Sequence, residues 1–98
     1  MFDLNKISKR YFDIKVRNVR LQLEAPTKKM LNKVVSLSGV KDIEAPDTLY
    51  EAVNMILNKN KTHYKVTKEF TDGLDIDEII VILSEYFNWI KNTKNSPN

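Results

Sequence analysis

The side chains that could do chemistry are few in this sequence, and they are poorly placed for catalysis. The chain has one histidine, His63, and no cysteine, which excludes a cysteine nucleophile and every thiolate metal site. His63 lies in a stretch rich in Lys and Tyr, where a lone histidine is far more often a surface residue than a catalytic base. No second histidine is present to complete an ordinary metal site.

Four carboxylates come close together before the last apolar stretch: Asp72, Asp75, Asp77 and Glu78. Their spacing does not fit an EF-hand loop, and acidic groups at the start of a helix are explained by the positive end of the helix dipole. Two glycines in the whole chain leave no phosphate-binding loop. We therefore predict that the protein is not an enzyme and that it uses no metal or cofactor.

The N-terminal third of the chain is basic. Residues 1–33 contain nine Lys and Arg against three Asp and Glu, whereas residues 34–98 contain seven against ten. Lys15, Arg17 and Arg20 form a candidate basic surface that could contact a nucleic-acid backbone beside Tyr11 and Phe12. A solvated strand face is the simpler interpretation, because the basic residues are dispersed and few phosphate contacts would bind weakly at cellular salt. We do not expect nucleic acid as the partner.

A β-hairpin must position these basic residues. Apolar and polar residues alternate over residues 12–16 and again over residues 19–24, which is the pattern of strands with one buried face. The two runs are separated by Arg17 and Asn18, and we predict that Asn18 takes a positive φ in the tight turn. A two-stranded hairpin is unstable alone, so its apolar face must pack on helices.

Helices are predicted for the rest of the chain. Thr27 can cap a first helix that ends at Gly39, and Thr48 with Glu51 has the capping-box spacing for a second. A turn of helix is predicted at residues 68–72. Asp75, with Glu78 three residues later, is predicted to cap the last and longest helix, which reaches Ile90. The expected fold is α+β and mostly helical, with an N-terminal β-hairpin packed on about three helices. Residues 1–92 form a single domain, and residues 93–98 form a polar, disordered tail.

The last helix carries more apolar surface than one core contact needs. Its main stripe is predicted to contain Ile76, Ile80, Leu83, Phe87 and Ile90, widened by Ile79 and Tyr86. Ile82 and Trp89 lie beyond its edge and Val81 lies near the opposite face, so the apolar arc spans about half the helix, against a stripe of roughly 100° for one core. Two interpretations stay open. Either another protein chain covers an exposed patch of Val81, Ile82, Tyr86 and Trp89, or the helix is central and wrapped on two sides.

Three segments together resemble a known family. They are LEAPTKKML at residues 23–31, TLYEAVNMIL at residues 48–57 and LDIDEIIVILSEYFNWI at residues 74–90. The chain resembles, over residues 11–92, the tail assembly chaperones of long-tailed, siphovirus-type bacteriophages of Gram-positive hosts. The motifs that carry the resemblance are patterns of apolar and small residues and contain no catalytic signature.

The resemblance implies a non-enzymatic chaperone in the host cytoplasm that binds the tape measure protein and keeps it soluble until the tail tube polymerises. It also implies self-association, absence from the mature virion, and a longer frameshifted form that recruits the tail-tube protein. No apolar run approaches the roughly 18 residues that span a membrane, and no membrane partner is expected. The alternatives are a small nucleic-acid-binding or regulatory protein that uses the basic hairpin, and a structural phage or connector subunit.

Overall fold

The computed structural model describes residues 3, 10–38 and 46–95. Its elements are β1 (Tyr11–Val16), β2 (Val19–Glu24), α1 (Lys28–Ser38), α2 (Pro46–Asn58), α3 (Lys68–Asp72) and α4 (Ile76–Asn95). The predicted α+β, mostly helical fold with a leading hairpin and a long last helix is confirmed. The predicted helix end at Gly39 lies outside the described residues. Helix α2 already begins at Pro46, so the prediction that Thr48 and Glu51 form a capping box at its start was wrong. Helix α4 continues past the predicted domain limit at residue 92, and residues 96–98 lie outside the described part of the chain.

The hairpin has the register that the alternation predicts. β1 and β2 pair antiparallel, with Phe12 opposite Leu23, Ile14 opposite Leu21 and Val16 opposite Val19. Directly opposed residues in an antiparallel pair share a face, so these six apolar side chains form one surface toward the helices. The polar residues between them form the outer face: Tyr11, Asp13, Lys15, Arg20, Gln22 and Glu24.

The hairpin turn differs from the prediction. The positive φ belongs to Arg17, at 57°, and Asn18 does not have one, so the prediction for Asn18 was wrong. In the left-handed region a residue with a Cβ atom is strained by about 1–2 kcal/mol. Contacts outside the turn accompany this conformation. The Arg17 guanidinium donates to the Glu78 carboxylate at 2.8 Å and to the Gly73 carbonyl at 3.3 Å, so the turn is held against the start of α4.

The segment after α2 closes one edge of the sheet. The Glu24 amide donates to the Lys59 carbonyl at 2.8 Å, and the Lys61 amide donates to the Gln22 carbonyl at 2.9 Å. Leu23 and Asn60 thereby form an antiparallel bridge. The far edge of β2 is therefore paired, whereas β1 pairs only with β2 among the residues that the structure describes.

Asn60 organises the loop that follows α2. Its side chain is only 1% exposed, and its amide group donates to the carbonyls of Leu57 (2.8 Å) and Tyr64 (2.9 Å). Its Oδ1 accepts from the Tyr64 amide at 2.8 Å and from the Thr62 hydroxyl at 3.3 Å. The side-chain amide thus has both donors and its acceptor satisfied, which is what burial of a polar group requires.

The core lies between the hairpin, α2 and α4. Ala52, Val53, Ile56 and Leu57 of α2 are all buried, as their helical spacing predicts. They pack in one cluster with buried side chains from every side of the core: Val16, Leu21, Leu23, Val34, Val66, Leu74, Ile79, Ile82, Leu83 and Tyr86. Among the described helices, none is both long and apolar enough to cross a membrane.

Candidate functional site

Helix α4 is wrapped on two sides, which settles the choice between the two interpretations of its wide apolar arc. Ile82 is 5% exposed and Tyr86 is 0% exposed, so the prediction that these two residues form an exposed patch was wrong. Ile80, predicted to lie in the core stripe, is instead 49% exposed. The hairpin covers one side of α4 and α2 covers another, so the buried face of the helix is centred between Ile79 and Tyr86.

Tyr86 connects α4 to the end of the hairpin. Its ring is fully buried, and its hydroxyl donates to the Glu24 carbonyl at 2.9 Å. Burial, with a smaller contribution from the Glu24 carboxylate, raises the pKa of the Tyr86 phenol well above its ordinary value of 10.0. The residue therefore stabilises the fold as a neutral phenol.

The raised pKa predicts a loss of stability at alkaline pH. The folded-state pKa of Tyr86 exceeds the unfolded value, so its contribution is complete below about pH 10 and is lost as the pH rises toward the folded-state pKa. The free energy of unfolding should fall by up to about 1.4 kcal/mol per pH unit above pH 10 from this group alone. Urea unfolding between pH 8 and 11.5 measures the slope.

Tyr86→Phe should make that alkaline decline shallower, whereas Tyr64→Phe, at a half-exposed tyrosine, should leave it unchanged. Some decline should persist in Tyr86→Phe, because desolvation and the neighbouring Asp75 carboxylate also raise the pKa of Tyr50, whose hydroxyl donates to the Leu74 carbonyl at 2.8 Å. Equal slopes of the free energy of unfolding against pH in the wild type and Tyr86→Phe would contradict the assignment of the alkaline decline to Tyr86.

Trp89 is also engaged within the fold. Its half-buried ring lies 5.8 Å from the Phe12 ring, in a stacked arrangement, and 5.8 Å from the Tyr86 ring. The Arg10 guanidinium sits 4.8 Å from the centre of the Trp89 ring and donates to the Trp89 carbonyl at 2.9 Å. Trp89 therefore attaches the start of β1 to the second half of α4, and only part of its surface can meet another chain.

Of the four residues predicted to bind protein, Val81 is the one left open, with 57% of its surface exposed. It lines a groove of about 400 Å³ between β1 and α4. The apolar floor of this β1–α4 groove is formed by Phe12, Ile14 and Val16 from β1 and by Val81 and Ile82 from α4. Sequence reasoning had assigned the three β1 residues to the core alone, and nothing in the alternation marks them as reachable from outside.

The groove exists because the sheet is too narrow to cover α4. Leu21 and Leu23 of β2 are buried, whereas Phe12 and Ile14 of β1 are only half-buried on the same face. A third strand beside β1 would lie over Val81, but among the described residues the sheet has two strands. The open surface is therefore the part of α4 and of the inner sheet face that the next strand would hide.

Charged side chains form the rim of the β1–α4 groove. Glu78 closes one end: its carboxylate accepts from Arg17 and, at 2.9 Å, from the Asp75 amide, while its own amide donates to the Asp75 carboxylate. This reciprocal pair is the predicted capping box of α4, and it accounts for two of the four clustered carboxylates. Asp77 and Glu85 remain exposed on the α4 side of the groove, so this rim is acidic.

The predicted basic surface is divided. Lys15 and Arg20 lie directly opposite each other on the outer face of the hairpin, but Arg17 is in the turn and is paired with Glu78. Asp13 and Glu24 share the outer face with Lys15 and Arg20. The face is of mixed charge, and Lys15, Arg17 and Arg20 are all exposed.

His63 is exposed and has a positive φ of 58° in the turn organised by Asn60. Within the described part of the chain, no group of three or more His, Asp or Glu residues is placed to hold a metal ion. We found no matching protein family, curated protein or solved structure. The resemblance to tail assembly chaperones therefore stays a prediction from the residues.

Proposed function

We propose that this chain is a non-enzymatic, protein-binding chaperone, and that its β1–α4 groove binds an apolar segment of another protein. The observation that carries the proposal is the open apolar floor of the groove with Val81 at its edge, 57% exposed. Exposed apolar surface rimmed by charged residues is typical of a binding site. Because the floor belongs to two packed elements, it is already shaped before a partner arrives.

The partner that the sequence resemblance points to is the tape measure protein of a bacteriophage tail. A long helical client offers apolar stripes with residues at i, i+3 or i+4, and i+7, which is how amphipathic helices occupy apolar grooves. Asp77 and Glu85 on the α4 side of the groove favour a stripe with Lys or Arg on that flank, whereas Lys15 lines the β1 side. In this role the chain acts in the host cytoplasm, leaves before the virion matures, and reaches the tail-tube protein through a longer frameshifted form.

A shallow groove suits a client that must be released. Burial of a few aliphatic side chains contributes about 1.5–3 kcal/mol each, and part of this is offset by the entropy lost on association. One groove therefore gives moderate affinity, and several copies along one long client would be needed to keep it soluble. Polymerising tail-tube subunits, which cover the client continuously, could then displace them.

Val81→Asp should abolish client solubilisation while the chaperone stays folded. The introduced carboxylate would be buried by the client without a partner, and it would lie beside Asp77 and Glu85. Co-expression with the tape measure protein should give at least tenfold less soluble client than the wild type, corresponding to about 1.4 kcal/mol or more of lost affinity.

Ile80→Asp is the matched control for this experiment. Ile80 neighbours Val81 on the same helix and is similarly exposed, at 49%, but it does not line the groove. Circular dichroism and thermal unfolding should be near wild type for both variants. Full solubilisation by Val81→Asp, or equal loss in both variants, would refute client binding in the groove.

A connector subunit would bury the same groove permanently. The two roles therefore differ in whether a bound copy of this chain exchanges with free copies. A chaperone should be absent from purified tails and should be replaced on the client by labelled free copies. A connector should remain in the particle and resist replacement.

A further inference from the structure

Among the described residues, the edge of β1 that faces away from β2 is unpaired, and it has backbone hydrogen-bonding groups directed away from the hairpin. In a hairpin with a two-residue turn, the pair flanking the turn is hydrogen-bonded and the pairs alternate from there. Val16 and Val19 flank this turn, so the backbone groups of Phe12, Ile14 and Val16 point toward β2. The amides and carbonyls of Tyr11, Asp13 and Lys15 point toward the open edge.

Among the described residues, this edge has one of the usual protections against pairing, the charged side chains of Asp13 and Lys15, and lacks the others. Proteins blunt exposed edge strands with prolines, bulges or very short strands. β1 is six residues long, contains no proline and pairs with β2 without a bulge. The other edge of the sheet is closed by residues 59–61. Among the described residues, a further strand can therefore pair with the sheet only beside β1.

The order of charges along β1 identifies the strand that fits. We propose that two copies of this chain pair antiparallel through β1, about a two-fold axis at Ile14, to form one four-stranded sheet. In this register Asp13 of each copy lies opposite Lys15 of the second copy, so two opposite-charge pairs form on the outer face. On the inner face Phe12 lies opposite Val16 of the second copy, and the two Ile14 side chains meet.

The neighbouring registers are disfavoured by charge. An axis at Asp13 would place two aspartates opposite each other, and an axis at Lys15 would place two lysines opposite each other, both of which destabilise a strand pair. A shift by one residue would bring the polar outer face of one copy onto the apolar inner face of the other. Among registers centred within residues 13–15, the axis at Ile14 alone joins opposite charges and matches both faces.

Pairing would also bring the two β1–α4 grooves together. Residues in a non-hydrogen-bonded pair, as the two Ile14 would be, have Cα atoms about 4.5 Å apart. Each β1 would thus shield the apolar floor beside its neighbour, so self-pairing and the proposed client would compete for one surface. The inference itself does not depend on the proposed function, because it concerns the purified chain alone.

Substitutions that reverse the charges of Asp13 and Lys15 test the pairing of two β1 strands and its register. Sedimentation velocity over a concentration series should show a monomer–dimer equilibrium for the wild type. Asp13→Lys and Lys15→Asp should each weaken the dimer by roughly thirty-fold, since both symmetry-related pairs change from opposite to like charge. The double exchange Asp13→Lys with Lys15→Asp should restore the wild-type dissociation constant, and an equimolar mixture of the two single variants should form a heterodimer.

Both side-chain changes, at Asp13 and Lys15, lie on the exposed outer face, so folding should be unaffected, which circular dichroism checks. Gln22→Lys, on the same face but on β2, is the control and should leave the dimer unchanged. A wild type that stays monomeric at millimolar concentration would overturn the proposal. Dimerisation that is insensitive to the single changes, or that the double exchange does not restore, would overturn it equally.

Discussion

Tyr86→Ala should lower the free energy of unfolding by about 3–5 kcal/mol, the range for removal of a buried aromatic ring. Residue Tyr86 is 0% exposed, and its ring lies 5.8 Å from the Trp89 ring on the side of α4 that faces the hairpin. The substitution leaves a cavity at this junction, and it also removes the hydroxyl that donates to the Glu24 carbonyl. A domain of this size typically has only 5–15 kcal/mol of stability, so a large part of it depends on one residue.

Chemical denaturation of the wild type and the variant measures the change, with Tyr64→Ala as the matched control. Tyr64 is the same residue type but is 50% exposed, and its replacement should change the free energy of unfolding by no more than about 0.5 kcal/mol. If Tyr86→Ala lowers the free energy of unfolding by less than about 1 kcal/mol, Tyr86 is not buried under the hairpin. That outcome would reopen Tyr86 as a residue available to a partner.

Asn60→Ala should lower the free energy of unfolding by about 3 kcal/mol, which is a large effect for a polar residue outside helices and strands. The side chain is 1% exposed and binds the backbone of Leu57 and of Tyr64. Without it, two carbonyls and one amide lose their partner in a place that water reaches poorly, and each such group costs about 1–3 kcal/mol when unsatisfied. The bridge between Leu23 and residue 60 should loosen as well, which hydrogen exchange at the Glu24 and Lys61 amides would detect.

Two further variants separate the hydrogen bonds of Asn60 from its packing. Asn60→Asp keeps the size of the side chain but turns the two donors into acceptors facing carbonyls, so it should be at least as destabilising as Asn60→Ala. Asn88→Ala, at an exposed position of α4, should be neutral or slightly stabilising because alanine is the better helix former. A harmless Asn60→Asp would show that the amide donors do not hold the loop.

Tyr86 and Asn60 both affect the proposed binding surfaces because they hold β2 in place. Tyr86 holds the Glu24 end of β2, and Asn60 holds the segment that pairs with its far edge. With that side of the sheet occupied, the described residues leave the edge of β1 and the groove beneath it for another chain. Loss of Asn60 should therefore expose a second edge and promote non-specific aggregation.

The features that could be predicted from the sequence are those that depend on local interactions. The alternation over residues 12–24 predicted the hairpin, and the capping box at Asp75 and Glu78 predicted the start of α4. The buried face of α2 followed from its helical spacing. Each of these depends on residues within about one turn or one hairpin of each other, so the pattern that specifies them is contained in a short stretch of chain.

Which apolar residues stay exposed could not be predicted from local patterns, because it depends on how the elements pack together. A helical pattern shows that α4 is apolar over half its circumference, but it does not show how many neighbours cover that arc. The hairpin and α2 bury Ile82 and Tyr86, while a sheet one strand too narrow leaves Val81 open. The positive φ of Arg17 was equally hidden, as was its ion pair with Glu78, which lies far along the chain. Burial and such pairings are properties of packing between distant segments, and they appear only when those segments meet.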